Sequence, residues 1–224
     1  NPEVIREPQP PSTGEVLRRD GSNLTSVLGR TADEGNGRTR KRVIEFLSKV
    51  VPGVVNVAVK PLGKKETMEF QQQYDPSESA WRFLAENMSD GTLRALGVLT
   101  ALFQLVERGN RHVRLVGIEE PEAALHPGAA GILRDALKAA AATTQVVVTS
   151  HSPDLLDNKD VSDEWILGVV NEHGETKIGP IDQADRSVLL DRLFTAGELL
   201  RQGQLTPDLK RLGQTPQKQY ELFG

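Results

Sequence analysis

Apolar and polar positions in the middle of the chain predict a short buried strand. Residues 113–118 form a mostly apolar run that delivers two adjacent carboxylates, Glu119 and Glu120, and Pro121 then stops the extended chain. Fixing two acids at the end of a core strand is costly unless a metal, water or substrate receives them. We therefore expect function at this strand end.

A second strand is predicted further along the chain. Residues 128–144 are rich in alanine and long enough for a helix of several turns, and residues 145–149 are a β-branched run that ends at Ser150 and His151. Strand, helix and strand predict a right-handed crossover between parallel strands. Both acids and His151 would then lie along one edge of the sheet, where open α/β sheets bind ligands.

Earlier residues predict a helical segment followed by a β arm. A short helix is expected over residues 24–28, and apolar residues recur at helical spacing over residues 43–50. Residues 54–59 and 66–74 have the pattern of a hairpin, and a further strand is expected over residues 81–85.

A helix over residues 92–106 is apolar on almost every face, which predicts burial. Ser89 or Asp90 can cap its first turn, and Gly91 lets a ligand approach the backbone. Unpaired amides and the positive dipole end make such a helix start a phosphate site. Taken alone, the same residues also fit an ordinary helix cap.

The last third of the chain predicts smaller elements. Residues 164–170 and 176–179 fit a second hairpin, and residues 187–194 fit an amphipathic helix. Thr195 and Glu198 have the spacing of a capping box.

Composition narrows the class of protein. The 224 residues carry a formal net charge of -4 and contain 0 cysteines, which excludes disulfides and thiolate zinc sites and argues against a general polyanion-binding surface. The sequence has neither a signal peptide nor the long apolar run of a membrane helix, so we expect a cytoplasmic protein with no membrane partner. Because the chain opens on Asn1, we expect a fragment of a longer protein.

These patterns divide the chain into four predicted parts. Residues 1–20 are expected to form an extended connector, and residues 21–86 a helical and β-arm segment. Residues 87–205 would form the lobe that carries the motifs, and residues 206–224 a tail that is mobile or docks on a partner.

The order of motifs resembles the carboxyl-terminal half of an ABC-type ATPase head of the SMC and RecF-like group. It is most similar to stand-alone bacterial AAA/ABC-like ATPases related to the OLD family. Residues 87–92 match the signature loop, residues 115–120 the Walker B strand, residues 124–127 the D-loop, and residues 149–152 the switch-histidine loop. The resemblance implies an α/β, P-loop NTPase-like fold: a mainly parallel sheet core flanked by helices, with β-hairpin additions.

The resemblance also assigns hydrolytic roles. Glu119 would hold Mg²⁺, Glu120 would orient the attacking water or accept its proton, and His151 would sense the γ-phosphate of ATP. One departure is that the magnesium-side acid, usually aspartate, is Glu119 here. The D-loop also lacks its usual aspartate and has Pro127 in that neighbourhood.

By the same resemblance, ATP would be bound by Ser89, Asp90, Gly91, Thr92 and His126. The signature loop of this family acts across a head-to-tail dimer, so a nucleotide-dependent homodimer is implied. Asp90 departs from the family pattern, since many relatives have glycine there.

A phosphate-cradling loop needs glycine, four residues, glycine, lysine and a hydroxyl residue, and the chain has no such run. We expect an N-terminal Walker A portion of the same protein as a partner, and a fragment that is inactive alone.

Two other functions fit part of the pattern. Clustered acids with a histidine can hold metals in a Toprim-like, metal-dependent nuclease. A non-catalytic interaction module could keep the fold without turnover. Under the ATPase interpretation, the head would act on DNA or on a partner protein.

Overall fold

The computed structural model describes residues 1–13, 16–33, 37–104 and 113–212 of the chain. It has two compact units, Asn1–Ser150 and His151–Gly224. This division differs from the predicted boundary between residues 86 and 87. The last residues predicted for the long apolar helix, 105–106, and most of the predicted tail, 213–224, lie outside the described residues.

The first unit begins with a short helix, α1 (Pro2–Arg6). The side chain of Asn1 accepts a hydrogen bond from the backbone amide of Glu3, and Pro2 occupies the first helical turn, where a missing N–H costs nothing. Further on, Gln9 and Glu66 form an isolated antiparallel bridge. The extended connector predicted for residues 1–20 is therefore wrong for its first residues, because local capping signals favour a helix there.

Three helices pack together in this unit. They are α2 (Leu24–Asp33), α3 (Arg38–Val50) and α4 (Asp90–Phe103). The rings of Phe46 and Phe103 stack with their centroids 5.4 Å apart, which joins α3 to α4. The apolar face predicted for α3 is buried, and α4 is buried along most of its length.

An antiparallel sheet follows α3, in the order β1 (Val54–Leu62), β2 (Lys65–Gln72) and β3 (Trp81–Leu84). It contains the predicted β-arm hairpin and the predicted further strand, and both are confirmed. Its buried apolar side chains are those of Val54, Val57, Met68 and Phe70.

The predicted strand, helix and strand are β4 (Leu115–Glu119), α5 (Ala130–Ala141) and β5 (Gln145–Thr149). The two strands pair in parallel along their whole length, which confirms that part of the prediction and the α/β class. Among the described strands, β4 and β5 form the parallel pair, and the other strands pair antiparallel. One face of the pair is open, with Leu115 57% and Val147 50% exposed.

The second unit contains the predicted second hairpin. It pairs β6 (Leu167–Glu172) with β7 (Glu175–Pro180). Its helices are α6 (Pro153–Leu156), α7 (Gln183–Leu190), α8 (Ala196–Arg201) and α9 (Leu209–Leu212).

The predicted capping box of the second unit is confirmed at the start of α8. Thr195 Oγ1 accepts a hydrogen bond from the Glu198 amide at 3.1 Å, and Glu198 Oε2 accepts one from the Thr195 amide at 2.7 Å. This cap fixes the start of a helix that contributes Ala196 and Leu199 to the unit's apolar core.

No helix in the described part of the chain combines the length and the apolar character needed to cross a membrane.

Candidate functional site

The two predicted acids lie at the carboxyl end of β4. Glu119 is the last residue of the strand, and both Glu119 and Glu120 are exposed. The Glu120 amide donates a hydrogen bond to the Thr149 carbonyl at 2.8 Å, and its φ is 43°. This left-handed conformation is uncommon for a residue with a side chain, and a residue before proline ordinarily prefers extended backbone. The strand therefore ends abruptly, with Glu120 in a strained conformation.

An arginine that belongs to none of the sequence motifs holds this strand end. Nη2 of Arg94, on α4, donates to the Glu119 carbonyl at 3.1 Å and to the Glu120 carbonyl at 2.8 Å. Its Nε is buried and has no hydrogen-bond partner among the described residues. A lone cation within a helix as apolar as α4 was the one sequence signal that could have revealed it.

The start of α4 has the predicted cap. Ser89 Oγ accepts a hydrogen bond from the Thr92 amide at 3.2 Å and lies 2.9 Å from Thr92 Oγ1. Ser89 is exposed, whereas Thr92 is buried. The first amides of a helix have no intrahelical carbonyl partner, so the exposed helix start suits an anion. The predicted contacts of Ser89 and Thr92 with nucleotide stay predictions.

Asp90 has a protein partner. It forms an ion pair with Arg6 of α1, and Arg6 Nη1 donates to the carbonyls of Met88 at 2.6 Å and Glu86 at 3.1 Å. Arg6 therefore fixes the residues that lead into α4. This contact accounts for an aspartate at position 90 without a ligand, and the predicted role of Asp90 in nucleotide binding stays a prediction.

Gly91 brings α4 close to the loop that follows the acids. A Cβ atom at this position would lie 2.4 Å from the carbonyl oxygen of Ala124, a distance that backbone atoms cannot accommodate. The glycine is thus explained by close packing inside the chain, a different reason from the predicted approach of a ligand. As a consequence, the signature-like loop and the D-loop-like segment are in contact.

Glu122 connects the ends of the two parallel strands. Its Oε1 accepts a hydrogen bond from Ser150 Oγ at 2.5 Å, and its Oε2 is buried without a hydrogen-bond partner among the described residues. The spacing of Glu122 in the sequence does not indicate a partner 28 positions away, so this contact is visible only in the structure.

The two predicted histidines have different surroundings. His126 is exposed, and its Nδ1 accepts a hydrogen bond from the Gly128 amide at 3.0 Å, which caps the turn Pro127–Ala129. His151 is the first residue of the second unit and is exposed. The roles of His126 in nucleotide binding and of His151 as a γ-phosphate sensor stay predictions.

A groove of about 800 Å³ lies along the open face of β4 and β5 in the first unit. Residues 16–19 and one side of α4 also line it. The cations Arg18, Arg19 and Arg94 lie along it together with Glu119. The lining of this groove combines apolar side chains with three arginines and one acid.

Within the described residues, no group of three or more His, Cys, Asp or Glu side chains is arranged to hold a metal ion. Magnesium, however, usually binds through one or two carboxylates together with substrate phosphates and waters. The exposed carboxylates of Glu119 and Glu120, at one strand end, fit that mode of binding.

Comparisons with known proteins identify a related family. A family model described as "AAA domain, putative AbiEii toxin, Type IV TA system" matches residues 61–157, a range that contains α4, β4 and β5. The match supports the resemblance to an ABC/SMC-like ATPase and covers less than half of the chain. No curated protein matches the chain. The finer resemblance to OLD-related proteins stays a prediction.

Several solved structures of SMC heads are similar to the chain. A structure from work on ATP-driven dimerisation and DNA-stimulated activation of SMC ATPases is 16% identical, with a TM-score of 0.47, over 69% of this chain and 90% of that one. The Smc head domain of Pyrococcus yayanosii is 17% identical, with a TM-score of 0.47, over 69% of this chain and 29% of that one. An Smc head bound to the C-winged helix domain of ScpA is 15% identical, with a TM-score of 0.48, over 83% of this chain and 54% of that one.

Proposed function

We propose that this chain supplies the hydrolytic half of an ATP-hydrolysing head of the ABC and SMC type. The family match supports an ATPase-type function. The observation that carries the proposal is the contact between the start of α4 and the segment after β4. There Gly91 packs against Ala124, and Arg94 bonds the carbonyls of both acids. A helix start suited to phosphate and a pair of carboxylates are thereby held in one structural unit.

The two acids have distinct proposed roles. Hydrolysis of a phosphoanhydride needs charge neutralisation by Mg²⁺ and an oriented water, with little covalent chemistry from the protein. Glu119, at the strand end, would hold Mg²⁺ together with the phosphates of ATP. Glu120 would orient the attacking water or accept its proton.

The remaining motif residues are proposed to act on the γ-phosphate. Ser89 and the Gly91 amide would bind it from a second copy of the protein, so that ATP drives dimerisation of two heads. His151 would sense it, and Asp90, Thr92 and His126 would complete the nucleotide contacts. The exposure of Ser89 and His151 leaves both available for such contacts. Dimerisation would act on DNA or on a partner protein.

The open face of β4 and β5 supports a separate Walker A portion. Parallel sheets are ordinarily covered on both faces, yet Leu115 and Val147 are half exposed. We propose that the portion of the same protein that carries the phosphate-cradling loop packs into the groove on this face. The 224-residue chain alone would then neither bind ATP tightly nor hydrolyse it.

The proposal is tested with the chain joined to its Walker A portion. We expect Mg²⁺-dependent ATP hydrolysis, a fall of about 10²–10⁴-fold in kcat for Glu120→Gln, and ATP-bound dimers that persist in that variant. Glu78→Gln, which changes an exposed glutamate of the β arm, is the matched control. Unchanged turnover in Glu120→Gln would refute the role of that residue.

The same preparations separate the competing functions. Divalent-metal-dependent nicking of DNA without ATP would favour the nuclease, and dimerisation without turnover would favour the non-catalytic module. Robust Mg²⁺-dependent turnover by the 224-residue chain alone would contradict the proposed need for a Walker A portion.

A further inference from the structure

We propose that Arg94 is a positioning residue that holds Glu120 in its hydrolytic orientation. The inference rests on the proposed function of Glu120 and adds a residue for which the sequence motifs supply no role. Arg94 makes its two bonds through one atom, Nη2, to the carbonyls of the two consecutive acids. It therefore acts on the backbone that carries both carboxylates.

The backbone of Glu120 needs such support. Its φ of 43° is a conformation that residues with side chains rarely adopt, and the following proline adds to the preference for extended backbone. The Glu120 amide is held by the Thr149 carbonyl at 2.8 Å, and its carbonyl is held by Arg94, also at 2.8 Å. The peptide groups on both sides of the Glu120 Cα are thus fixed, which sets the direction of its side chain.

The placement of Arg94 is costly, which argues for a specific purpose. The buried residues of α4 are mostly apolar, and Arg94 Nε is buried without a hydrogen-bond partner among the described residues. Burying a polar atom without a hydrogen bond is unfavourable, whereas hydrogen bonds from a charged donor are stronger than neutral ones. The bonds to the Glu119 and Glu120 carbonyls offset that cost.

Arg94 also connects two functional elements of the proposed head. It lies one turn inside the helix whose first turn is capped by Ser89, so one rigid element contains the anion-binding start and the hold on Glu120. Glu119 is also held by the pairing of β4 with β5, so removal of Arg94 should misplace mainly the Glu120 carboxylate and leave nucleotide affinity nearly unchanged. Misplacing a catalytic group by about 1 Å can cost about 10²-fold in rate.

The first test uses NMR on the 224-residue chain and needs no turnover. The coupling between the amide and α protons of Glu120 reports its φ. We expect this coupling and the Glu120 amide shift to change in Arg94→Met, and to stay as in the parent in Arg82→Met, which changes an exposed arginine of β3. If Arg94→Met does not fold, Arg94→Lys keeps the charge with a different donor geometry. An unchanged Glu120 coupling in the folded variant would overturn the proposal.

The second test uses the chain joined to its Walker A portion. We expect Arg94→Ala to lower kcat by about 10²-fold with KM for ATP nearly unchanged, and added guanidinium ion to restore part of kcat. Guanidinium should not raise kcat in the parent or in Arg82→Ala. A loss confined to KM, or no rescue in a folded variant, would contradict positioning. Absence of turnover in the parent would refute the proposed function, and the NMR measurement would still decide the role of Arg94.

Discussion

The hydroxyl of Ser150 donates a hydrogen bond to Glu122 Oε1 over 2.5 Å and so joins the segment after β4 to the end of β5. Hydrogen bonds to charged groups contribute about 1.5–3 kcal/mol. The second oxygen of Glu122 is buried without a partner among the described residues, which offsets part of that contribution.

We therefore expect Glu122→Ala to lower the free energy of unfolding of the first unit by about 1–2 kcal/mol, near the low end of that range. Glu122→Gln keeps an acceptor for Ser150 and should cost less. Chemical denaturation, followed by amide signals of the first unit, measures both. Equal losses in the two variants would show that the hydrogen bond contributes little.

Gly91 and Gly97 provide a matched pair of substitutions within α4. Gly91→Ala would place a Cβ 2.4 Å from a backbone oxygen, whereas Gly97→Ala would meet only the flexible end of Ile5 at 3.1 Å. Overpacking typically costs about 1–3 kcal/mol, and replacing an interior helical glycine by alanine contributes about 1 kcal/mol. We expect thermal unfolding to show a clear loss for Gly91→Ala and little change for Gly97→Ala. The reverse order would contradict the packing of α4 on the loop.

Substitutions at Arg6 and Asp90 distinguish the contribution of their ion pair from that of the hydrogen bonds that Arg6 donates to backbone carbonyls. The Asp90 side chain is 62% exposed, and an exposed ion pair contributes about 0–1 kcal/mol. Arg6→Ala also removes bonds to two carbonyls, so it should destabilise the chain more than Asp90→Asn does. Denaturation midpoints of the two variants test this order. If Asp90→Asn were the more damaging, charge pairing would dominate the start of α4.

Asp20 provides a prediction about pH. The backbone amide of Ser22 donates to Asp20 Oδ1 at 2.9 Å, and this hydrogen bond lowers the pKa of the Asp20 carboxyl below its usual value. When the pKa of a carboxyl is lower in the folded chain than in the unfolded chain, the group stabilises the fold at pH values above its unfolded pKa. This stabilisation is lost as the pH falls through its folded pKa.

Asp20→Asn keeps an acceptor for the Ser22 amide and removes the titration. We expect the parent to lose more stability than this variant as the pH falls below the usual range of an aspartate pKa. Carboxyl-detected NMR titration measures the pKa of Asp20 directly. A value at or above that of an unstructured aspartate would disprove the prediction.

Much of the local structure could be predicted because its causes are local. The apolar run before Glu119 and the β-branched run before Ser150 specify β4 and β5, and serine before an apolar helix specifies the cap at Ser89. The spacing of Thr195 and Glu198 specifies their reciprocal cap in the same way. In these cases a few neighbouring residues contain all the information.

The contacts between these elements could not be predicted. Arg94 bonds backbone carbonyls, which every residue has, so no residue type at its target indicates the pairing. Arg6 and Asp90 are 84 positions apart, and nothing local connects them. The open face of the parallel strands was also missed, because an apolar strand predicts burial whether or not the covering element belongs to the same sequence.

The separation of Arg6 from Asp90 also bears on the order of folding. Closing a long loop costs entropy before any contact compensates for it, whereas helix α4 forms through neighbouring residues. We expect the middle of α4 to form early, and residues 86–90 to reach their final arrangement only when α1 docks. In native-state hydrogen exchange, amides of residues 86–90 should then open at lower free energy than those near Leu96 and Leu99. A docking event at one end of the sequence would thereby govern when the turn proposed to bind an anion becomes ordered.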